Sequence, residues 1–195
     1  MSELLPFVLA VLALLATPGP TNTLMAASGA QRGVIRSLSL LAGELGGYFI
    51  AITVWTELVG AAPAGQPLVP AIAKLVAAAF LLWSAWKLWA NAGHADLVRR
   101  GITLGRVFTT TLVNPKALVF AFAIFPHLGF LARLPYLGLF ALLAIGTAVG
   151  WMALGTAAAR SSGGLLTSSR VERITAIALA VFATLLVVQT AQSWS

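Results

Sequence analysis

Long apolar runs alternate with short polar segments along this chain, at a spacing that matches membrane thickness. Uncharged stretches run from Leu4 to Gln31, from Leu134 to Ala159 and from Ile174 to Ser195, each longer than the ~20 residues a helix needs to cross a hydrocarbon core. The other apolar spans carry one or two charges. The runs are continuous and show no alternation in ~10-residue segments, so they predict helices and not a membrane barrel. Six spans are placed at residues 4–30, 37–59, 69–90, 106–132, 135–158 and 172–191.

Composition agrees with the pattern. Hydrophobic residues make up 59% of the chain and charged residues 9%, a balance outside the soluble globular range. The expected fold class is an all-α integral membrane protein, a single membrane domain over residues 1–195 with no room for a soluble one. Met1-Ser2-Glu3 supplies no positive segment ahead of the first run, so the first span is expected to stay in the mature protein. A net charge of +7 would suggest nucleic acid in a soluble chain. Here the basic residues fall in three short connections, holding Arg32 and Arg36, then Arg99, Arg100 and Arg106, then Arg160, Arg170 and Arg173. The positive-inside rule places those loops in the cytoplasm and both termini outside. That is a multi-pass protein of the cell's inner (plasma) membrane, embedded in the lipid bilayer, with no nucleic-acid partner expected. Trp83, Trp86 and Trp89 with Lys87 form an expected interfacial belt.

Two breaks interrupt the spans. Thr17-Pro18-Gly19-Pro20-Thr21-Asn22 lies within the first and Asn114-Pro115-Lys116 within the fourth. Proline removes a backbone donor and its ring collides with the preceding turn, which frees polar backbone where lipid offers no partner. Such a pair of interrupted segments, at corresponding places in two halves of a chain, points to the substrate site of a secondary transporter. The halves are residues 1–90 and 106–195, joined by a basic cytoplasmic linker at 91–105. Each opens with its broken helix, and each second span is glycine-rich, with Gly43, Gly46 and Gly47 in one and Gly146 and Gly150 in the other, a composition that lets helices approach closely. Three crossings per half require the second to be inserted upside down, as two inverted three-helix repeats with discontinuous first and fourth helices.

Depth brings the polar candidates together. At ~1.5 Å per residue from the cytoplasmic ends, Pro20 lies ~15 Å in, Asn114 ~12 Å and Glu44 ~10 Å. Glu44 is an acid well inside a span and Lys116 a base at comparable depth, each costing about 3 kcal/mol to insert at a helix centre. They are functional candidates, or else a helix-to-helix lock. The candidate substrate-binding residues are Thr17, Pro18, Gly19, Pro20, Thr21, Asn22, Asn114, Pro115 and Lys116, with Asn22 and Asn114 placed nearest a ligand, and Glu44 is the candidate for proton coupling. Glu57 and Lys74 lie toward the outer ends of their spans, and His127 follows Pro126 there. The chain has no cysteine, which excludes disulfides and thiolate chemistry. His94 and Asp96 share a loop but are too few for a metal site. No metal, cofactor or enzymatic activity is expected.

The residues also carry a resemblance. Thr-Pro-Gly-Pro-Thr-Asn at 17–22 followed by Gly29, Gly33 and Gly43, together with Asn-Pro-Lys at 114–116 followed by phenylalanines and Pro126, resembles the lysine exporter family, which includes the homoserine and threonine efflux proteins. The resemblance implies a six-helix inner-membrane exporter of amino acids or close derivatives, driven by protons or the membrane potential and dimeric. The family's Pro-Gly-Pro motif falls on Pro18, Gly19 and Pro20, and its Asn-Pro-Lys motif on Asn114, Pro115 and Lys116. Two positions depart from it: Thr21 separates Pro20 from Asn22, and His127 stands where a glutamine is common. The expected mechanism is proton antiport, with Lys116 or a half-helix N-terminus on the substrate carboxylate and Glu44 with freed carbonyls near Thr17 on its ammonium. The alternatives left open are an exporter of another small solute or ion, a channel, and a non-transporting structural subunit.

Overall fold

A computed structural model of the chain describes residues 4–60, 68–90, 101–160 and 168–192. His94, Asp96, Arg99 and Arg100 lie outside the described residues, as do residues 1–3 and most of the linker. The regular structure of the described residues is helical throughout.

The first span is two helices, α1 (Leu4–Ala16) and α2 (Pro20–Ser37), bent by 63° at the break between them. Pro20 opens α2 at its first position, where a missing N–H is tolerated. A proline pushes the residue before it out of the helical region, and Gly19 is accordingly extended at φ −172° and ψ 173°. Helical structure continues through the expected loop at 31–36, broken at Gly33, whose φ of +79° favours glycine. Two helices follow, α3 (Leu40–Gly60) and α4 (Leu68–Ala90).

The second broken span comprises α5 (Leu104–Leu112), α6 (Pro115–Val119) and a π-helical turn at Phe120–Ile124, with a bend of 47°. Asn114 is extended ahead of Pro115, at φ −71° and ψ 124°, for the same pre-proline reason. The π turn closes with the Phe125 amide donating to the Phe120 carbonyl at 2.8 Å. The last two helices are α7 (Phe130–Arg160) and α8 (Ser168–Gln192).

Two expected boundaries move. The fourth span ends at Ile124 and not at residue 132, and the fifth helix begins at Phe130 and not at residue 135. Apolar residues run across the junction, but extended Phe125 ahead of Pro126 stops one helix. Pro135 is carried inside α7, close enough to its start that one lost donor does not end it.

The first span packs on α7, α3 packs on α5, and α4 packs on α8. Glycines set two of these contacts. A Cβ on Gly29 would collide with the Met152 carbonyl and one on Gly155 with the Ala26 carbonyl, while Cβ atoms on Gly43 and Gly47 would stand 2.6 Å and 2.8 Å from the carbonyl oxygens of Leu104 and Phe108. Gly146 and Gly150, expected to bring helices together, have nothing within 4 Å of where a Cβ would stand. Close approach in α7 falls to Gly155 instead, because the partner helix crosses there.

Two apolar clusters result. The larger joins Phe7, Val11 and Leu14 of α1 with Tyr48 and Ile52 of α3 and Phe120, among others. The smaller joins Leu24, Met25, Leu40, Val107, Ala148 and Met152. Along α1–α2, α3 and α5–α6 the polar positions Thr17, Thr21, Asn22, Glu44, Thr111, Asn114 and Lys116 fall between residues of the larger cluster and residues of the smaller. Leu5, Leu9, Val54, Val76, Leu142 and Val181 lie exposed on the exterior, so the bundle is apolar outside as well as inside, as a lipid-facing one is. Two unbroken helices, Ala71–Ala90 and Phe130–Arg160, and the two bent pairs are long and apolar enough to cross a bilayer. The chain is an all-helical membrane protein.

Candidate functional site

The two breaks meet. Asn22 folds back toward the helix it follows, its amide donating to the Leu15 carbonyl at 2.7 Å and the Thr17 carbonyl at 2.9 Å. These are acceptors that the Pro-Gly-Pro break deprives of helical donors. From the other break, Lys116 reaches across to the Thr17 carbonyl as well. Its side chain lies along Gly19, where a Cβ would stand 3.1 Å from Cε. Lys116 is 1% exposed and does not run to a surface.

A second link joins hydroxyls and amide. Asn114 donates from its amide nitrogen to Thr21 Oγ1 at 3.0 Å, and Thr21 Oγ1 lies 3.1 Å from Thr111 Oγ1. The other end of the Asn114 amide caps α6, its oxygen accepting from the Lys116 backbone at 3.0 Å. One side chain therefore both starts a half-helix and ties it to the opposite half. Thr111 also bonds back to the Val107 carbonyl at 2.8 Å, which is how a threonine sits in an apolar helix without an orphaned hydroxyl.

Glu44 comes to the same place from α3. It is 2% exposed and within electrostatic reach of Lys116, yet its Oε2 has no hydrogen-bond partner. One turn on, Tyr48 is 0% exposed, its hydroxyl near Thr21 but without a well-formed hydrogen bond. Burying such groups unpaired costs about 1–3 kcal/mol each. A site that holds a polar ligand in part of its cycle has a use for donors and acceptors left open in this way. The Glu44–Lys116 lock considered from sequence is not a direct bond: among the described residues the ion pair within 4.0 Å is Arg133 with Glu57.

Of the residues expected from sequence, Thr17, Gly19, Thr21, Asn22, Asn114, Lys116 and Glu44 converge. Pro18, Pro20 and Pro115 shape the breaks. Thr111 and Tyr48 were not singled out, although each had a signal: Thr111 lies one turn before Asn114, and Tyr48 lies one turn after Glu44 on the same face. An apolar groove of about 330 Å³, lined by Trp55, Phe80, Leu112 and Leu118, reaches Asn114 from the side. Glu57, Lys74 and His127 do not join this cluster and lie toward the opposite end of α3. There, burial and the nearby cations Lys74 and Arg133 hold the His127 imidazole below its usual pKa of 6.5.

Sequence comparisons give the chain a family. Residues 12–190 match the family described as LysE type translocator. The chain is similar to proteins named cysteine/O-acetylserine efflux protein. In Salmonella paratyphi A and Salmonella typhi the likeness is 26% identity over 105 residues, 53% of this chain and 54% of each relative. In Salmonella typhimurium it is 28% over 106 residues, with the same shares. The chain thus spans about half the length of the curated relatives it matches. No solved structure matches it. With the family match running through both breaks and nearly the whole bundle, the chain belongs to the LysE type translocator family.

Proposed function

We propose that this protein exports amino acids or close derivatives from the cytoplasm in exchange for protons, with the substrate held between the two breaks. The observation that carries the reading is the buried polar layer of Thr21, Asn22, Thr111, Asn114, Lys116 and Glu44, with half-buried Thr17 beside it and the Oε2 of Glu44 without a hydrogen bond, flanked by residues of the two apolar clusters. A layer closed on both sides is what an occluded carrier requires. The substrate carboxylate takes Lys116, and the ammonium takes Glu44 with the carbonyls near Thr17. Glu44 exchanges protons as substrate and Lys116 part and meet. A purely structural subunit accounts for the glycine contacts but has no use for a buried carboxyl oxygen, Glu44 Oε2, left without a hydrogen bond.

The reading includes six crossings in two inverted repeats, 1–90 and 106–195 with linker 91–105, the basic loops cytoplasmic and the termini outside, in the inner membrane and as a homodimer. The packing supports the repeat. Exchanging the first three spans with the last three turns the contact of spans one and five into that of four and two, and leaves three on six unchanged; these are the pairings present.

The test is counterflow in proteoliposomes, with labelled threonine, homoserine, leucine, lysine, cysteine and O-acetylserine outside and a pH gradient as a variable. Saturable exchange lost on Asn114→Ala supports the site. Absence of exchange by folded, inserted protein with every amino acid overturns the function.

A further inference from the structure

A second polar site lies at the Gly60 end of α3, and we propose that it is a release site that takes an amino-acid zwitterion on its way out, with Glu57 as the group the zwitterion displaces. The proposal rests on the export reading, which makes this the outer end.

Arg133, in the early turns of α7, is 3% exposed. Its Nη1 donates to Thr56 Oγ1, its Nε and Nη2 donate to the Leu128 carbonyl at 3.2 Å and 2.6 Å, and Nη2 also donates to Glu57 Oε1 at 2.8 Å. Thr56 and Leu128 are neutral and hold the guanidinium in place by themselves. Glu57 is the charged partner and the loose one: its side chain is 54% exposed while that of Arg133 is 4%. A fixed cation facing a mobile carboxylate is an exchangeable position, because any incoming carboxylate presents the same two oxygens to the same fork.

Beside the pair is a cavity of about 190 Å³ lined by Thr56, Glu57, His127, Leu128, Gly129 and Arg133. At ~30 Å³ per water it holds about six water-sized groups, the scale of a small amino acid. Its lining matches both ends of a zwitterion. Arg133 binds a carboxylate, and a released Glu57 or neutral His127 accepts from an ammonium. Lys74 and Arg133 act on His127 together, so the local field favours an anion once Glu57 swings away.

The position fits a release path. Glu44 and Glu57 are separated by ~20 Å along α3 at 1.5 Å per residue. The interval is filled by rings: Tyr48 meets Phe120 and Phe140 edge-on at 5.6 Å and 5.5 Å, and Phe140 continues to Phe125 at 5.6 Å. The aromatic stack seals the central layer from the mouth, and the Arg133–Glu57 pair closes the mouth beyond it.

The cysteine-free chain gives a direct test. A Gly129→Cys variant introduces a single thiol at the cavity wall, where a Cβ has nothing within 4 Å. Its labelling by a membrane-impermeant thiol reagent is timed in proteoliposomes with threonine, propionate or ethanolamine present. Expected are roughly tenfold slowing by threonine, partial slowing by propionate and none by ethanolamine, because the guanidinium anchors the carboxylate. Adding Glu57→Gln lowers the protecting concentration about threefold, and adding Arg133→Lys raises it about tenfold. Asn114→Ala abolishes counterflow while leaving protection intact, which separates the two sites. Protection without counterflow in the parent chain overturns the export reading and with it the release role, leaving only a zwitterion-binding site at this end. Counterflow with labelling unaffected by threonine, or protection indifferent to both Glu57→Gln and Arg133→Lys, overturns the release site.

Discussion

Lys116 donates to the backbone carbonyl of Thr17 across 99 residues of sequence, so the charge carried by one break completes the hydrogen bonding of the other. Lys116→Met should leave Thr17 with one donor fewer and Glu44 without its nearby cation. Counterflow is expected to fall more than about tenfold, since a charge-assisted bond in a buried site is among the stronger single contacts. Lys116→Arg should fare little better, because Gly19 leaves space for a slim ammonium and not for a planar fork. Exchange by Lys116→Arg equal to the parent would refute the fit.

Asn22 is a donor twice over, to Leu15 and Thr17. Asn22→Asp keeps its shape and removes the donors, so it should destabilise at least as much as Asn22→Ala, by about 1–3 kcal/mol from orphaned carbonyls. Thermal unfolding in detergent checks the order. An aspartate variant as stable as the parent means that the amide does not hold the break.

Four glycines of similar appearance should behave in two ways. Gly29→Ala and Gly155→Ala place a methyl group into a facing carbonyl, forcing α2 and α7 apart with a loss of a few kcal/mol. Gly146→Ala and Gly150→Ala meet open space and should be neutral, or up to about 1 kcal/mol stabilising through helix propensity. Melting temperatures of the four variants, measured side by side in one detergent, give the comparison.

His127 provides a pH dependence with a definite sign. Burial, Lys74 and Arg133 hold its folded pKa below 6.5, so the unfolded chain binds the proton first. Its contribution to stability is complete above pH 6.5 and is lost as pH falls from there toward the folded value. His127→Gln should flatten the melting temperature over that range, and Lys74→Met should move the imidazole back toward its ordinary titration, readable by NMR. A slope unchanged in His127→Gln would assign the effect to another group.

Much of this site was legible because its makers are backbone breakers. Pro18, Gly19, Pro20 and Pro115 act through local geometry that no tertiary context undoes, so both breaks stand where the sequence puts them. Glu44 and Lys116 were legible because charge at membrane depth is expensive. Thr111 was harder to see, since a threonine that bonds back to its own helix is common in apolar spans, and its second role exists only because α2 brings Thr21 beside it. The glycines show the limit most clearly. Spacing marks a smooth face, but the crossing point of the neighbouring helix decides which glycine is used, and Gly146 and Gly150 were chosen by spacing where Gly155 is used by contact. The end of the fourth span was missed for a similar reason: an apolar run does not say where Pro126 and Gly129 will turn it.

The π turn at Phe120–Ile124 ends its helix with one extra residue in the last turn, as a dislocation ends a half-plane in a crystal. A dislocation glides easily because each step trades one bond for the next and leaves the total unchanged. The bulge beside Phe120 has the same property. Passing the Phe125 amide to a neighbouring carbonyl turns the rings on that stretch by a fraction of a helical turn, with the α6 ladder ahead of it intact and the non-helical Phe125–Gly129 segment free to follow. The segment that carries Phe120 and Phe122 thus ends in a turn whose closing hydrogen bond can change partner at little cost.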